Sequence, residues 1–170
     1  MRYYFAGVPW QAAEGEAFMA VSGVFGKLQL KNQADIVVLD APPSFEKELK
    51  ALKGVRIHRR VGASPIDFAI AFVMRQEEIE KHAQALAARA EGDAVIWFAY
   101  PKASSKRYTT DLSRDTGWQV LGDLGFEVVR LVAIDEDWSA KRFRRPAFIK
   151  SLKRDSSWAM SKAGKEKAAK

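Results

Sequence analysis

The sequence predicts an α/β three-layer sandwich on a mainly parallel sheet that ends in an antiparallel hairpin. Three observations lead there. The runs 35–40, 68–74 and 94–100 are apolar and rich in β-branched or aromatic residues, as strands covered on both faces are. The stretches between most of these runs carry helical spacing and are long enough for crossovers, which places successive strands parallel and right-handed. Only the five residues 135–139 separate the last two runs, and five residues make a hairpin, not a crossover.

Each element follows in order. Residues 1–33 are aromatic (Tyr3, Tyr4, Phe5, Trp10, Phe18, Phe25) and broken by Gly7, Gly15, Gly23 and Gly26; they predict an N-terminal cap with a short helix around 14–22. The strand at 35–40 is stopped by Pro42 and Pro43, which cannot continue a ladder. Ser44 is placed as N-cap of a helix over 45–53, with Phe45, Leu49 and Leu52 on one stripe and Gly54 as its stop. Alternation in Val55-Arg56-Ile57-His58-Arg59 predicts a half-buried strand near an edge. After the strand at 68–74, Ile79, Ala83, Leu86, Ala87 and Ala90 predict a helix over 75–91. A strand at 94–100 ends at Pro101, a polar loop spans 102–109, and Thr110 or Asp111 is expected to cap a helix over 112–124. The hairpin 126–145 follows, with Trp138 packing it back onto the sheet. The organisation is a cap (1–33), the α/β domain (34–146) and a basic tail (147–170), expected to begin as a short helix over 147–154 and to fray beyond Trp158.

Charge and composition exclude several functions. The formal charge is +7, but residues 1–138 hold 17 Lys and Arg against 19 Asp and Glu, while residues 139–170 hold 11 against two. A near-neutral body with a basic end argues against a basic nucleic-acid domain and leaves non-specific attraction of phosphate backbones to the tail alone. The absence of cysteine excludes a disulfide scaffold, a thiolate metal site and a cysteine nucleophile. His58 and His82 are too few for zinc, and His82, four residues after Glu78, is expected on the wet flank of its helix. No Gly-x-Ser-x-Gly elbow supports a hydrolase. No run of some ~18 apolar residues spans a membrane, and no export signal is visible, so a cytoplasmic protein is expected.

Ligands of open parallel sheets sit at the carboxyl ends of the strands. The first such end reads Asp40-Ala41-Pro42-Pro43-Ser44, where a nucleotide cradle would need glycines offering backbone N–H groups. The fourth opens the loop Lys102 to Asp111, with three cations and several hydroxyls ahead of a helix start. The candidate ligand-binding set is therefore Asp40, Ser44, Lys102, Ser104, Lys106, Arg107, Thr110 and Asp111, with Lys102, Lys106 and Arg107 as anion ligands. No residue is assigned a catalytic role, and no metal or cofactor is predicted. The expected partner is a protein or an anionic small molecule; nucleic acid could join through the tail.

The strand order, with its terminal hairpin, resembles the S-adenosylmethionine-dependent methyltransferase fold, Rossmann-like and shortened by one strand and helix between residues 61 and 66. Val37-Val38-Leu39-Asp40 is similar to the opening of that family's first motif, without the glycines that should follow. Residues 27–145 also resemble a family of small bacterial proteins of unknown function. The likeness is carried by Ile36-Val37-Val38-Leu39-Asp40-Ala41-Pro42, Val95-Ile96-Trp97-Phe98-Ala99-Tyr100-Pro101-Lys102, Thr110-Asp111-Leu112 and Asp135-Glu136-Asp137-Trp138-Ser139 with Arg142-Phe143. It implies a degenerate methyltransferase-like sheet in a bacterial cytoplasmic protein and carries over no catalytic residue. An atypical S-adenosylmethionine-dependent methyltransferase using Asp40 is the alternative expectation.

Overall fold

The computed structural model describes residues 23–152 and 156–169. The predicted cap helix around 14–22 lies outside these residues. The elements are α1 (Val24–Lys27), β1 (Asp35–Leu39), α2 (Glu46–Ala51), β2 (Arg56–His58), β3 (Ile66–Phe72), α3 (Gln76–Ala87), β4 (Ala90–Pro101), α4 (Gln119–Asp123), β5 (Glu127–Ala133), β6 (Trp138–Arg144) and α5 (Lys162–Ala168). Short 3-10 turns lie at Pro43–Phe45, Pro146–Phe148 and Ser156–Trp158. The six strands form one sheet in the order β2-β1-β3-β4-β6-β5. β1 to β4 run parallel, and β6 is antiparallel to both β4 and β5. This is the mainly parallel sheet, closed by an antiparallel hairpin, that the sequence predicts.

Two apolar layers sandwich the sheet. On one face Ile79, Ala83 and Leu86 of α3 and Leu121 of α4 cover Val37, Ala69, Ile96, Phe98 and Phe143. On the other, Phe25, Leu28, Phe45 and Leu49 cover Ile36, Val38, Phe68, Ile70 and Trp97. The wholly buried Trp97 indole donates to the Leu28 carbonyl at 2.8 Å, so its one polar atom is satisfied while its rings fill the core. That bond fastens the segment around α1 to the sheet. Trp138 is buried between Phe72 and Tyr108, as the hairpin reading expects.

Several boundaries differ from the sequence reading, each for a local reason. Ser44 lies inside the 3-10 turn and makes no capping bond, because the chain enters α2 through Pro43 at the turn's first position. α3 ends at Ala87, since the sheet claims the next residues: Ile66 N–H donates to the Arg89 carbonyl and Ala90 pairs with Ile66. The helix expected over 112–124 shrinks to the five residues of α4. The residues ahead of it bond locally instead: the Ser113 hydroxyl accepts from Asp115 N–H and Thr116 N–H, its carbonyl accepts from the Trp118 indole, and Gly117 turns at φ 99°.

The tail departs most from expectation. Pro146–Phe148 is a 3-10 turn, where a helix over 147–154 was expected, and the region beyond Trp158 forms α5. Glu127, wholly buried at the start of β5, accepts from Met160 N–H (2.8 Å), Ser161 N–H (2.7 Å) and the Ser161 hydroxyl (2.8 Å). Ser161 in turn caps α5 by accepting from Gly164 N–H at 2.9 Å. A side chain at Gly164 would collide with the Glu127 carboxyl group, and one at Gly122 with the Met160 backbone. Those two glycines let the C-terminal segment approach this closely.

Four of the eleven cations after residue 138 belong to the body. Lys141 and Arg142 are buried on β6, Arg144 makes a two-pronged pair with Asp93 (2.7 and 2.5 Å), and Arg145 donates to the Ala90 carbonyl while stacking on Phe126. The positive surplus that remains lies in residues 150–170, where Lys150, Lys153, Arg154, Lys162, Lys165, Lys167 and Lys170 face only Asp155 and Glu166.

Candidate functional site

The carboxyl edge of the sheet gathers the ends of β1, β3 and β4, the start of β6, and the loop 102–111. At the end of β1, Asp40 stands in the left-handed region at φ 54°, one of two non-glycine residues there among those described. An aspartate tolerates that conformation better than most side chains, and such backbone tends to be retained where a side chain must be aimed. Its carboxyl oxygen lies 2.7 Å from Nε2 of His82. The two partners differ in access: the His82 side chain is 10% exposed and that of Asp40 67%. The imidazole is therefore a buried brace, and the carboxyl group it steadies faces solvent. Sequence reasoning placed His82 on the wet flank; it is buried instead, because residue 82 lies three after Ile79 and four before Leu86 and so completes their stripe. Glu78, assigned to His82 by the i,i+4 spacing, accepts from Met74 N–H (2.5 Å) and Arg75 N–H (3.0 Å) at the helix start.

Loop 102–111 folds onto the same edge and uses up several candidate ligands. The Thr110 hydroxyl donates to the Met74 carbonyl at 2.6 Å and accepts from Leu112 N–H at 3.0 Å. The Asp111 carboxyl group accepts from Gln76 N–H at 3.2 Å. Glu78 takes the two N–H groups just ahead of α3 and Asp111 that of its first residue, so acidic side chains crowd the helix start and disfavour an anion there. Ser105 donates to Asp137 at 2.8 Å, and its hydroxyl accepts from Arg107 N–H and Tyr108 N–H; Lys102 N–H donates to the Asp137 carbonyl at 2.7 Å. Asp137 thus pins the loop to the hairpin, with the Arg107 guanidinium a loose 3.9 Å away. Lys102 is half-buried, and Ser104, Lys106 and Arg107 are exposed. Beneath the loop, the buried indole N–H of Trp138 has no hydrogen-bond partner. That orphan donor is the kind of atom a bound oxygen would satisfy.

The ends of β1 and β4, which lead into Asp40 and the cationic loop, lie on either side of β3, two strand spacings or roughly 10 Å apart. Ser44 contributes nothing that the structure shows. The turn after β1 does not fit a glycine-type cradle for a nucleotide or S-adenosylmethionine: Pro42 and Pro43 have no N–H, and Phe45 N–H is bonded to the Pro42 carbonyl. Among the described residues no cluster of His, Asp and Glu has metal-ligand geometry, and no helix is long and apolar enough to cross a membrane.

No family model and no curated protein matches the chain. Among solved structures it is similar to the N-methyltransferase NodS of Bradyrhizobium japonicum WM9, at 12% identity and a TM-score of 0.47, over 78% of this chain and 95% of that one. It is similar to an S-adenosylmethionine-dependent methyltransferase of Aquifex aeolicus at 13% identity and 0.49, with the same coverage. A third, from Clostridium acetobutylicum ATCC 824, stands at 6% and 0.48, over 78% and 92%. At these values the likeness is one of overall outline and transfers no residue's role.

Two further charged residues that the sequence did not mark as special lie in the body. Lys141 is buried against Trp118, its ammonium 4.8 Å from the ring centroid, and donates to the Arg114 carbonyl. Burial pulls its pKa from 10.5 down to about 8. Arg142, on the opposite face, donates to the Gln29 side chain at 2.6 Å, while its buried Nε has no partner.

Proposed function

We propose that this protein binds an anionic small molecule bearing hydroxyl or amine groups at the carboxyl edge of the sheet, and that it acts by binding, without transferring a methyl group. The observation that carries this reading is the Asp40–His82 pair. A solvent-facing carboxyl group, held by a buried imidazole on a backbone that few residues adopt, is suited to accept hydrogen bonds from a ligand's donors. Lys102, Lys106 and Arg107 supply positive charge on the other side of β3. Calorimetric titration with S-adenosylmethionine, S-adenosylhomocysteine and mono- and dinucleotides tests the reading. At least one of the nucleotides, the anions of the set, is expected to release heat, and Asp40→Asn, which keeps the shape and a link to His82, is expected to weaken it at least tenfold without lowering the melting midpoint. Silence from every compound would overturn it.

The second reading, an atypical S-adenosylmethionine-dependent methyltransferase, draws on the strand order and on the carboxyl group at the end of β1. It predicts a thermal shift with S-adenosylmethionine that is lost in Asp40→Ala. The proline-containing turn weighs against it.

A further inference from the structure

The surface built by the C-terminal segment is independent of the strand-end site. The turn Ser156–Trp158 and α5 pack together around Ile149, Leu152, Ala159 and Val129, and the Glu127 anchor holds them to the body. On the outside of this unit Trp158 is 72% exposed, the barest large apolar side chain among the described residues. Ser157, Lys165, Glu166 and Ala169 line a shallow depression of about 500 Å³, so the indole's chain neighbour and a lysine of α5 share one concavity. Lys150, Lys162 and Lys165 are exposed, and the sequence sets Lys153 and Arg154 close before the tryptophan.

An exposed indole on the same C-terminal unit as exposed cations is a definite chemical signature. The cations attract a polyanion by releasing its counterions. The indole adds a flat apolar face, on which an unpaired base stacks; a base inside a duplex is already stacked on its neighbours. A bilayer is the poorer fit, because Trp158 is the one large apolar side chain exposed between residues 156 and 169, and the outward positions of α5, Lys162, Ala163, Lys165 and Glu166, add none to insert beside it. We propose that this surface binds single-stranded nucleic acid without sequence preference, with Trp158 as the stacking platform and Lys150, Lys162 and Lys165 as phosphate contacts.

Fluorescence anisotropy of the full chain with a labelled 20-nucleotide oligothymidylate and an oligouridylate of the same length tests this. The expected result is binding at 50 mM salt that weakens steeply as salt rises. Trp158→Ala is expected to weaken it about tenfold, in keeping with the loss of one stacked base. Replacing Lys150, Lys162 and Lys165 together by Gln is expected to flatten the salt dependence by about two, at roughly 0.7 per phosphate lost. These four side chains are exposed, so the variants should keep the parent melting midpoint, and Asp40→Asn should bind the oligonucleotide normally. The proposal is overturned by no binding at 50 mM salt, by binding that ignores Trp158→Ala, by a preference for duplex, or by stronger binding to phosphatidylserine vesicles than to the oligonucleotide.

Discussion

Lys141→Met turns the burial of one ammonium group into a measurable pH dependence. Folded, the group titrates at about 8; its ordinary value is 10.5. Between those values the unfolded chain holds the proton and the folded chain has released it, so stability rises with pH. Integrated over pH 7 to 9.5, the two values give a gain of about 2 kcal/mol for the parent. Tyr100, whose hydroxyl is pushed up by the same burial, stays protonated across this range. Methionine has nearly the volume of lysine and no charge, so the variant lacks this rise. At pH 7 it should be the more stable by on the order of 3 kcal/mol, provided its thioether packs against Trp118 as the lysine stem does. Urea unfolding of both proteins at half-unit pH steps measures the difference directly. A parent-minus-variant difference constant to within about 0.5 kcal/mol across the range would refute the reasoning.

Two further predictions concern other groups. In Glu127→Ala, two backbone N–H groups and a hydroxyl lose their acceptor in a dry place, at about 1–3 kcal/mol each; the segment 156–169 is expected to undock, read as at least about tenfold faster limited proteolysis near residue 155 with the sheet still folded, and an unchanged cleavage rate counts against the anchor. The Asp35 carboxyl group is held down to about 2, first by the two-pronged hydrogen bond from Arg56 and then by His58. Its contribution to stability is present above 3.8 and lost as pH falls through 2, and a carbon NMR titration of Arg56→Ala should find the midpoint moved back up.

The sheet was legible because its strands are apolar runs with proline or glycine punctuation and its crossovers have measurable lengths. Element ends were less legible where polar side chains bond their own backbone, as Ser113 and Thr110 do, since helical spacing does not register that competition. The candidate site was half legible. Asp40 and the cationic loop followed from the rule that ligands meet strand ends, but Thr110 and Asp111 turned out to hold Met74 and Gln76. His82 was missed although its spacing from Ile79 and Leu86 marked it as inward. Its partner is 42 residues away, and pairing of that range comes from topology alone. Glu127 and Lys141 read as ordinary strand charges for the same reason: nothing local says that a distant segment will cover them.

The docking of the C-terminal segment bears on how the protein can be handled. A version cut back to residue 146, which a view of that region as a loose appendage would encourage, would strip Val129 of its apolar cover and leave the Glu127 carboxyl group without donors. β5 is an edge strand, and Leu131 is already 44% exposed on it. Bared along more of its length, it would offer a seven-residue template for pairing with another molecule. Poor solubility of such a trimmed protein would then report a missing cover plate, with the sheet beneath it still able to fold.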